Sequence, residues 1–235
     1  MSKKQSSLYM TAGEQIAGVV FFVIYLLVLP FATAPIFRFV ERLIAMDIPR
    51  AVEHTIYYYV LFAVTVIIFH DFLGRTTRYL FDRFTLVGKT LLVGMVAHYG
   101  LNELVYRLVN LVISSRTNLN DTTISAQIDD APRSTLLIVI FLAPFVEEVL
   151  FRGLVFGNLK NKSRLLGYVV SCLLFAALHV WQFAVNDQDV TYFLVMLQYL
   201  VPGVVLSWAY EHSGTLWTAI GVHAAVNALS VLAAI

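Results

Sequence analysis

Pro144-Phe145-Val146-Glu147-Glu148-Val149-Leu150-Phe151-Arg152-Gly153 sets two adjacent carboxylates and a guanidinium among side chains that are otherwise apolar. A charged group at the centre of a bilayer costs about 2.5–3.5 kcal/mol on insertion scales, so ionisable residues at that depth face a bundle interior, pair, or carry a function. On a helical wheel of about 100° per residue, Glu148 and Arg152 are i,i+4 neighbours on one face. Glu147 lies about 140° from Arg152, toward another face. Glu148 is therefore the expected partner of Arg152, and Glu147, with no local cation, is the candidate proton acceptor. A structural ion pair closing a helix end accounts equally well for Glu148 and Arg152 but leaves Glu147 unexplained.

The rest of the chain makes the setting a membrane. Of 235 residues, 59% are apolar and 13% charged, and the mean hydropathy is +0.77. A soluble domain could not cover that composition with polar surface. The expected fold class is all-α, a polytopic helical bundle around a polar cavity. It forms one membrane domain over 1–235, with N-terminal helices in 1–133 and the core helices in 134–235. A net charge of +1 offers no basic face for nucleic acid. The single cysteine, Cys172, excludes an internal disulfide. The run ending Ala32-Thr33-Ala34 offers a signal-peptidase site, but Pro35 and the length of the run favour a retained helix.

Apolar runs of about 18–25 residues place spans at Ile16–Phe37, Thr55–Leu73, Leu86–Ile113, Ser134–Phe156, Leu165–Phe183, Val190–Tyr210 and Leu216–Ile235. That gives seven to eight membrane helices, depending on how 74–113 divides. Pro30 should kink the first. Arg38–Glu53 reads as a charged connection, Gly74–Thr85 as an amphipathic stretch on an anionic surface, Ser114–Ser134 as a polar loop and Asn186–Asp189 as an acidic loop. Leu86–Ile113 is too long for one straight crossing and should be tilted or broken; within it Glu103 and Arg107 should pair, while His98 and Asn102 share another face. Ten of the sixteen Lys and Arg residues fall on the N-terminal side of alternate connections, which orients the N-terminus to the cytoplasm of a multi-pass cell-membrane protein.

Glu147, His179, His223 and Asn227 remain inside the last four apolar runs without local partners, and His223 and Asn227 share a face at i,i+4. A carboxylate, two imidazoles and an amide suit peptide hydrolysis: a Glu and a His activate water, and donors stabilise the oxyanion. Ser171, Cys172 and Ser207 lack a paired base, which argues against a covalent route. Glu147, His179 and His223 are alternative zinc ligands with one position open. No HExxH is present, and the spacing settles neither reading.

Three motifs occur in order: Glu147-Glu148-x-x-x-Arg152, Phe175-x-x-x-His179, and Tyr210-x-x-Ser213-Gly214-Thr215-Leu216-Trp217 leading to His223-x-x-x-Asn227. They resemble those of the CAAX prenyl protease and bacteriocin-processing (CPBP, Abi-type) family of intramembrane proteases, over about Leu136–Leu229. The resemblance implies a conical membrane cavity and endoproteolysis of a membrane-associated, in some cases lipidated, peptide or protein at the bilayer. It makes Glu147 the general base, His179 the residue that polarises water, and His223 and Asn227 the oxyanion donors. Glu148 and Arg152 become supporting residues and Phe175 a packing residue. No cofactor is expected, with a zinc metalloprotease as the alternative. Two other readings compete: a non-proteolytic membrane regulator acting on a sensor or transporter partner, and an ion-coupled transporter, against which the missing internal repeat stands. His179 sits about 7–8 Å from the depth of Glu147 if its helix is straight, so tilt or a break must bring them together.

Overall fold

The capping box that opens helix α1 (Ala12–Ile44) is also the first clamp between helices. Thr11 and Glu14 exchange side-chain-to-amide hydrogen bonds. The second Glu14 oxygen accepts the Phe72 amide at 2.6 Å, and Arg75 pairs with the carboxylate at 3.1 Å. Phe72 lies in the first turn of α3 (His70–Asp82), where a helix buried end-on has N–H groups to satisfy and a positive dipole end. Thr76 of α3 repeats the device on α10 (Leu216–Ala234). Its hydroxyl accepts the Leu216 amide at 2.7 Å, and Thr215 donates to its carbonyl at 2.8 Å. Gly214, at φ +76°, closes α9 (Met196–Ser213) in the left-handed conformation that any side chain would strain.

The structure, a computed structural model, describes residues 9–112, 119–186, 193 and 195–234. Its remaining helices are α2 (Arg50–Ile68), α4 (Phe84–Val112), α5 (Leu119–Asp130), α6 (Pro132–Leu159), α7 (Arg164–Leu178) and α8 (Trp181–Asn186). No strand occurs among the described residues, so the fold is all-α. Four helices, α1, α2, the 84–108 part of α4, and α6, are long and apolar enough to cross a membrane. Arg164–Leu178 and Leu216–Leu232 are apolar but shorter. The core gathers on α6, which α1, α3, α7, α9 and α10 surround through Phe22, Phe72, Phe151, Phe175, Leu206 and Leu216. Large apolar side chains outside that core, such as Ile16, Leu27, Val96 and Leu165, stay exposed, as lipid-facing positions do.

Several boundaries differ from those read off the hydropathy. Most of Arg38–Glu53 is helical: α1 continues to Ile44 and α2 starts at Arg50. The run Thr55–Leu73 is broken at Phe69, which is fully buried. Gly74–Thr85 is no simple surface stretch, because α3 turns Phe72, Leu73 and Thr76 inward. α4 runs for 29 residues, so the helix is not broken. Of the expected 114–134 loop, Leu119–Asp130 is helical, and Thr135 of the next helix donates to the Gln127 carbonyl at its end. The acidic stretch 187–189 lies outside the described residues.

Proline explains two local irregularities. Residues Ile24–Val28 of α1 and Ile138–Leu142 of α6 are π-helical, each ending two residues before a proline, Pro30 and Pro144. Proline lacks the N–H and crowds the preceding turn. The ladder widens instead, with Leu29 bonding the Ile24 carbonyl and Ala143 the Ile138 carbonyl, five residues back. A third π segment, Val149–Phe156, follows the acidic pair, and the Phe151 carbonyl there accepts Ser171 Oγ at 2.9 Å.

Candidate active site

Glu147 and Glu148 lie on the short α-helical segment Ala143–Glu148 of α6, between its two π segments. Glu148 is fully buried and accepts Arg152 Nη1 at 3.0 Å, the i,i+4 pair expected from the wheel. The same oxygen, Oε1, also meets His223 Nδ1 at 2.8 Å. Arg152, equally buried, reaches the Gly203 carbonyl at 3.3 Å and lies over the Phe175 ring at 4.1 Å. Gly203 also lets α9 pack closely on α7, since a Cβ there would sit 3.1 Å from Cys172. Glu148 is thus the joint between the α6 ion pair and the α10 imidazole, a contact 75 residues long in sequence that no local pattern announces.

Glu147 points elsewhere. Its Oε2 is buried without a hydrogen-bond partner, 3.9 Å from His179 Nε2 and 4.0 Å from His223 Nε2. The depth mismatch expected for His179 is resolved by a break in the helix: α7 ends at Leu178, His179 caps it, and the chain turns into α8. His179 Nδ1 lies 2.9 Å from the Phe175 carbonyl, which can only accept. That bond puts a proton on Nδ1, and Nε2 faces Glu147. Tyr199 stacks on the His179 ring at 4.5 Å. Phe175 contacts His179 at 4.6 Å and His223 at 5.9 Å, so a residue expected only to pack sits between Arg152 and both imidazoles. Asn227, one turn beyond His223, donates to the Val139 carbonyl at 2.8 Å, inside the π segment ahead of Pro144. The site is closed: 10% of the Glu147 and His223 side chains and 15% of His179 are exposed.

Glu147, His179 and His223 have the chemistry of a zinc site, but their spacing does not fit one. Ligands at zinc distances stand about 3.3 Å apart around a tetrahedron, whereas the separations here are 3.9 and 4.0 Å. Among the described residues no three His, Cys, Asp or Glu side chains come together closely enough to hold a metal ion.

Residues 130–229 match the family model of type II CAAX prenyl endopeptidase Rce1-like proteins. The match covers less than half of the chain and is a similarity of that segment alone. The segment contains Glu147, Glu148, Arg152, His179, His223 and Asn227, the residues that build the site, while α1 to α4 lie outside it. The UPF0177 protein YxdF of Lactococcus lactis subsp. lactis (strain IL1403) is 27% identical over 117 residues, 49% of this chain. The chain spans 58% of that relative's length. No solved structure matches the chain. With four helices long and apolar enough to cross a bilayer and an Rce1-like segment, this is a membrane protein.

Proposed function

We propose that the chain is an intramembrane endopeptidase that hydrolyses a peptide bond of a membrane-associated substrate, with Glu147 as general base. The partnerless Glu147 oxygen between two imidazole nitrogens carries the reading. A water hydrogen-bonded at about 2.8 Å to groups about 4 Å apart subtends roughly 90° at its oxygen, so one molecule can serve Glu147 and His179 together. Both are acceptors there. They accept hydrogen bonds from the two water hydrogens and leave an oxygen lone pair for the substrate carbonyl carbon. As the C–O bond forms, Glu147 takes one proton. The oxyanion accepts from His223 Nε2–H and from the Asn227 amide hydrogen not used on Val139. Collapse breaks the C–N bond, and protonated Glu147 returns its proton to the leaving amine.

His223 must be an imidazolium to donate from Nε2, because its Nδ1 faces Glu148. Charge balance favours that state: Glu147 and Glu148 against Arg152 and His223 sum to zero in a buried group, where an unmatched charge is expensive. Glu148 and Arg152 therefore hold a donor in place and never touch the substrate. The family description makes a prenylated C-terminal peptide the first substrate class to try. The excess of Lys and Arg on one side supports a cell-membrane protein with its N-terminus on the cytoplasmic side.

The test uses the purified full chain in liposomes with quenched-fluorescent peptides carrying a CAAX-type tail, prenylated and not, and mass spectrometry of the products. Internal cleavage that persists in a strong chelator is the expected result, since no ligand field holds the water. Activity lost to the chelator and restored by zinc would overturn the metal-free mechanism.

A further inference from the structure

We propose that Tyr25 and Tyr58, from helices outside the Rce1-like segment, are substrate-binding residues of the Glu147 site, whose phenolic hydroxyls donate to the peptide carbonyl beside the scissile bond. The inference rests on the peptidase reading of that site. Its geometric support is helix register. A Cβ on Gly18 would sit 3.1 Å from Leu154, and the rings of Phe22 and Phe151 meet edge to face at 5.2 Å. Residue numbers rise along α1 as they fall along α6, so the two are antiparallel. One turn on from Phe22 is Tyr25, and one turn back from Phe151 is Glu147. On α2, Phe62 packs on Phe145 at 4.7 Å, two residues from Glu147, and Tyr58 is one turn from Phe62 on the same face.

Tyr25 is 7% exposed and stands in the π segment ahead of Pro30, the kind of local widening that recurs at functional sites. Both tyrosines lie within electrostatic range of the Glu147 carboxylate, and Tyr25 within range of Tyr58. Among the described residues, neither hydroxyl has a hydrogen-bond partner. The Tyr25 ring is buried and that of Tyr58 half-buried, and a phenol in apolar surroundings ordinarily finds an acceptor. The site also needs donors. One Asn227 N–H is committed to Val139 and His223 Nδ1 to Glu148, which leaves a single hydrogen on each for the substrate. A peptide carbonyl brings acceptor lone pairs and no proton, so it is the group that two phenols complement.

The experiment compares Y25F, Y58F, Y25F/Y58F and E147Q with the unaltered chain in liposomes. Phenylalanine keeps the buried ring and removes only the hydroxyl. The kcat/KM of the cleaved peptide should fall about 10-fold or more in the double variant, for two lost hydrogen bonds to substrate, with an unchanged melting temperature. A second readout needs no substrate: 3-fluorotyrosine at 25 and 58, followed by fluorine NMR, should shift when Glu147 becomes Gln. Wild-type kcat/KM in Y25F/Y58F beside an inactive E147Q overturns this inference alone, and wild-type kcat/KM in both overturns the peptidase reading with it. Fluorine resonances indifferent to Glu147→Gln place the phenols away from the site and overturn the proposal whatever the substrate.

Discussion

Taking the carboxylate charge from Glu148 would leave the buried Arg152 guanidinium without its counter-ion and His223 Nδ1 without its partner. Breaking one side of a buried ion pair costs about 3–5 kcal/mol, so Glu148→Gln should lower the melting temperature in detergent and also reduce turnover, because His223 loses the group that orients it. A Glu148→Gln protein with wild-type thermal stability would contradict this account. Of these contacts, the sequence reveals only the local one. Glu148 and Arg152 meet because they are four residues apart on a helix, and the wheel also turns Glu147 away from them. The His223 bond joins α6 to α10, and Phe175 acquires its place only through the packing of α7 on α6; neither has a periodicity to reveal it. The Phe175-x-x-x-His179 spacing did carry a signal, the carbonyl of one holding the ring of the other, but a hydrogen bond at a helix end also needs that end to be known.

Helix irregularity does the positioning at the next scale. The π segment before Pro144 shifts the phase of α6 just ahead of Glu147 and presents the Val139 carbonyl that Asn227 needs. Pro144→Ala restores the missing N–H and lets the regular ladder form, turning Glu147 away from the imidazoles. Misplacement of a reacting group by about 1 Å can cost 10²-fold. Turnover should fall by about that factor while thermal stability holds or rises, and stopped-time cleavage assays with parallel melts would show it. Undiminished turnover would make the π segment incidental. Proline chemistry marked Pro30 as a disturbance of the first helix but not the π segment that precedes it. Hydropathy ran through the breaks at Phe69, fully buried, and His179, half-buried, because apolar neighbours on both sides continue the run. The polar composition of 119–130 hid a helix for the opposite reason: its stability comes from being held against the start of α6.

Across the whole molecule, two side-chain caps tie together helices distant in sequence, Glu14 of α1 onto α3 within the N-terminal part and Thr76 of α3 onto α10 in the matched segment. Thr76→Val keeps the shape and removes the cap. A lost cap costs about 0.5–2 kcal/mol, so the variant should melt earlier and cleave more slowly in proportion to its folded fraction, which circular-dichroism melts beside activity would resolve. Membrane character and the four polar residues were legible in the chain because charge in an apolar run is rare. The two clamps were not, since threonine and a capping glutamate are ordinary residues whose partners are 58 and 140 positions away. The central claim, that Glu147 activates the water, is tested most directly by measuring single-turnover cleavage of a prenylated peptide by the unaltered chain and by Glu147→Gln, prepared alike in liposomes. The account predicts a fall of at least about 10²–10⁴-fold with an unchanged melting temperature; a Glu147→Gln protein that cleaves at the unaltered rate would contradict it.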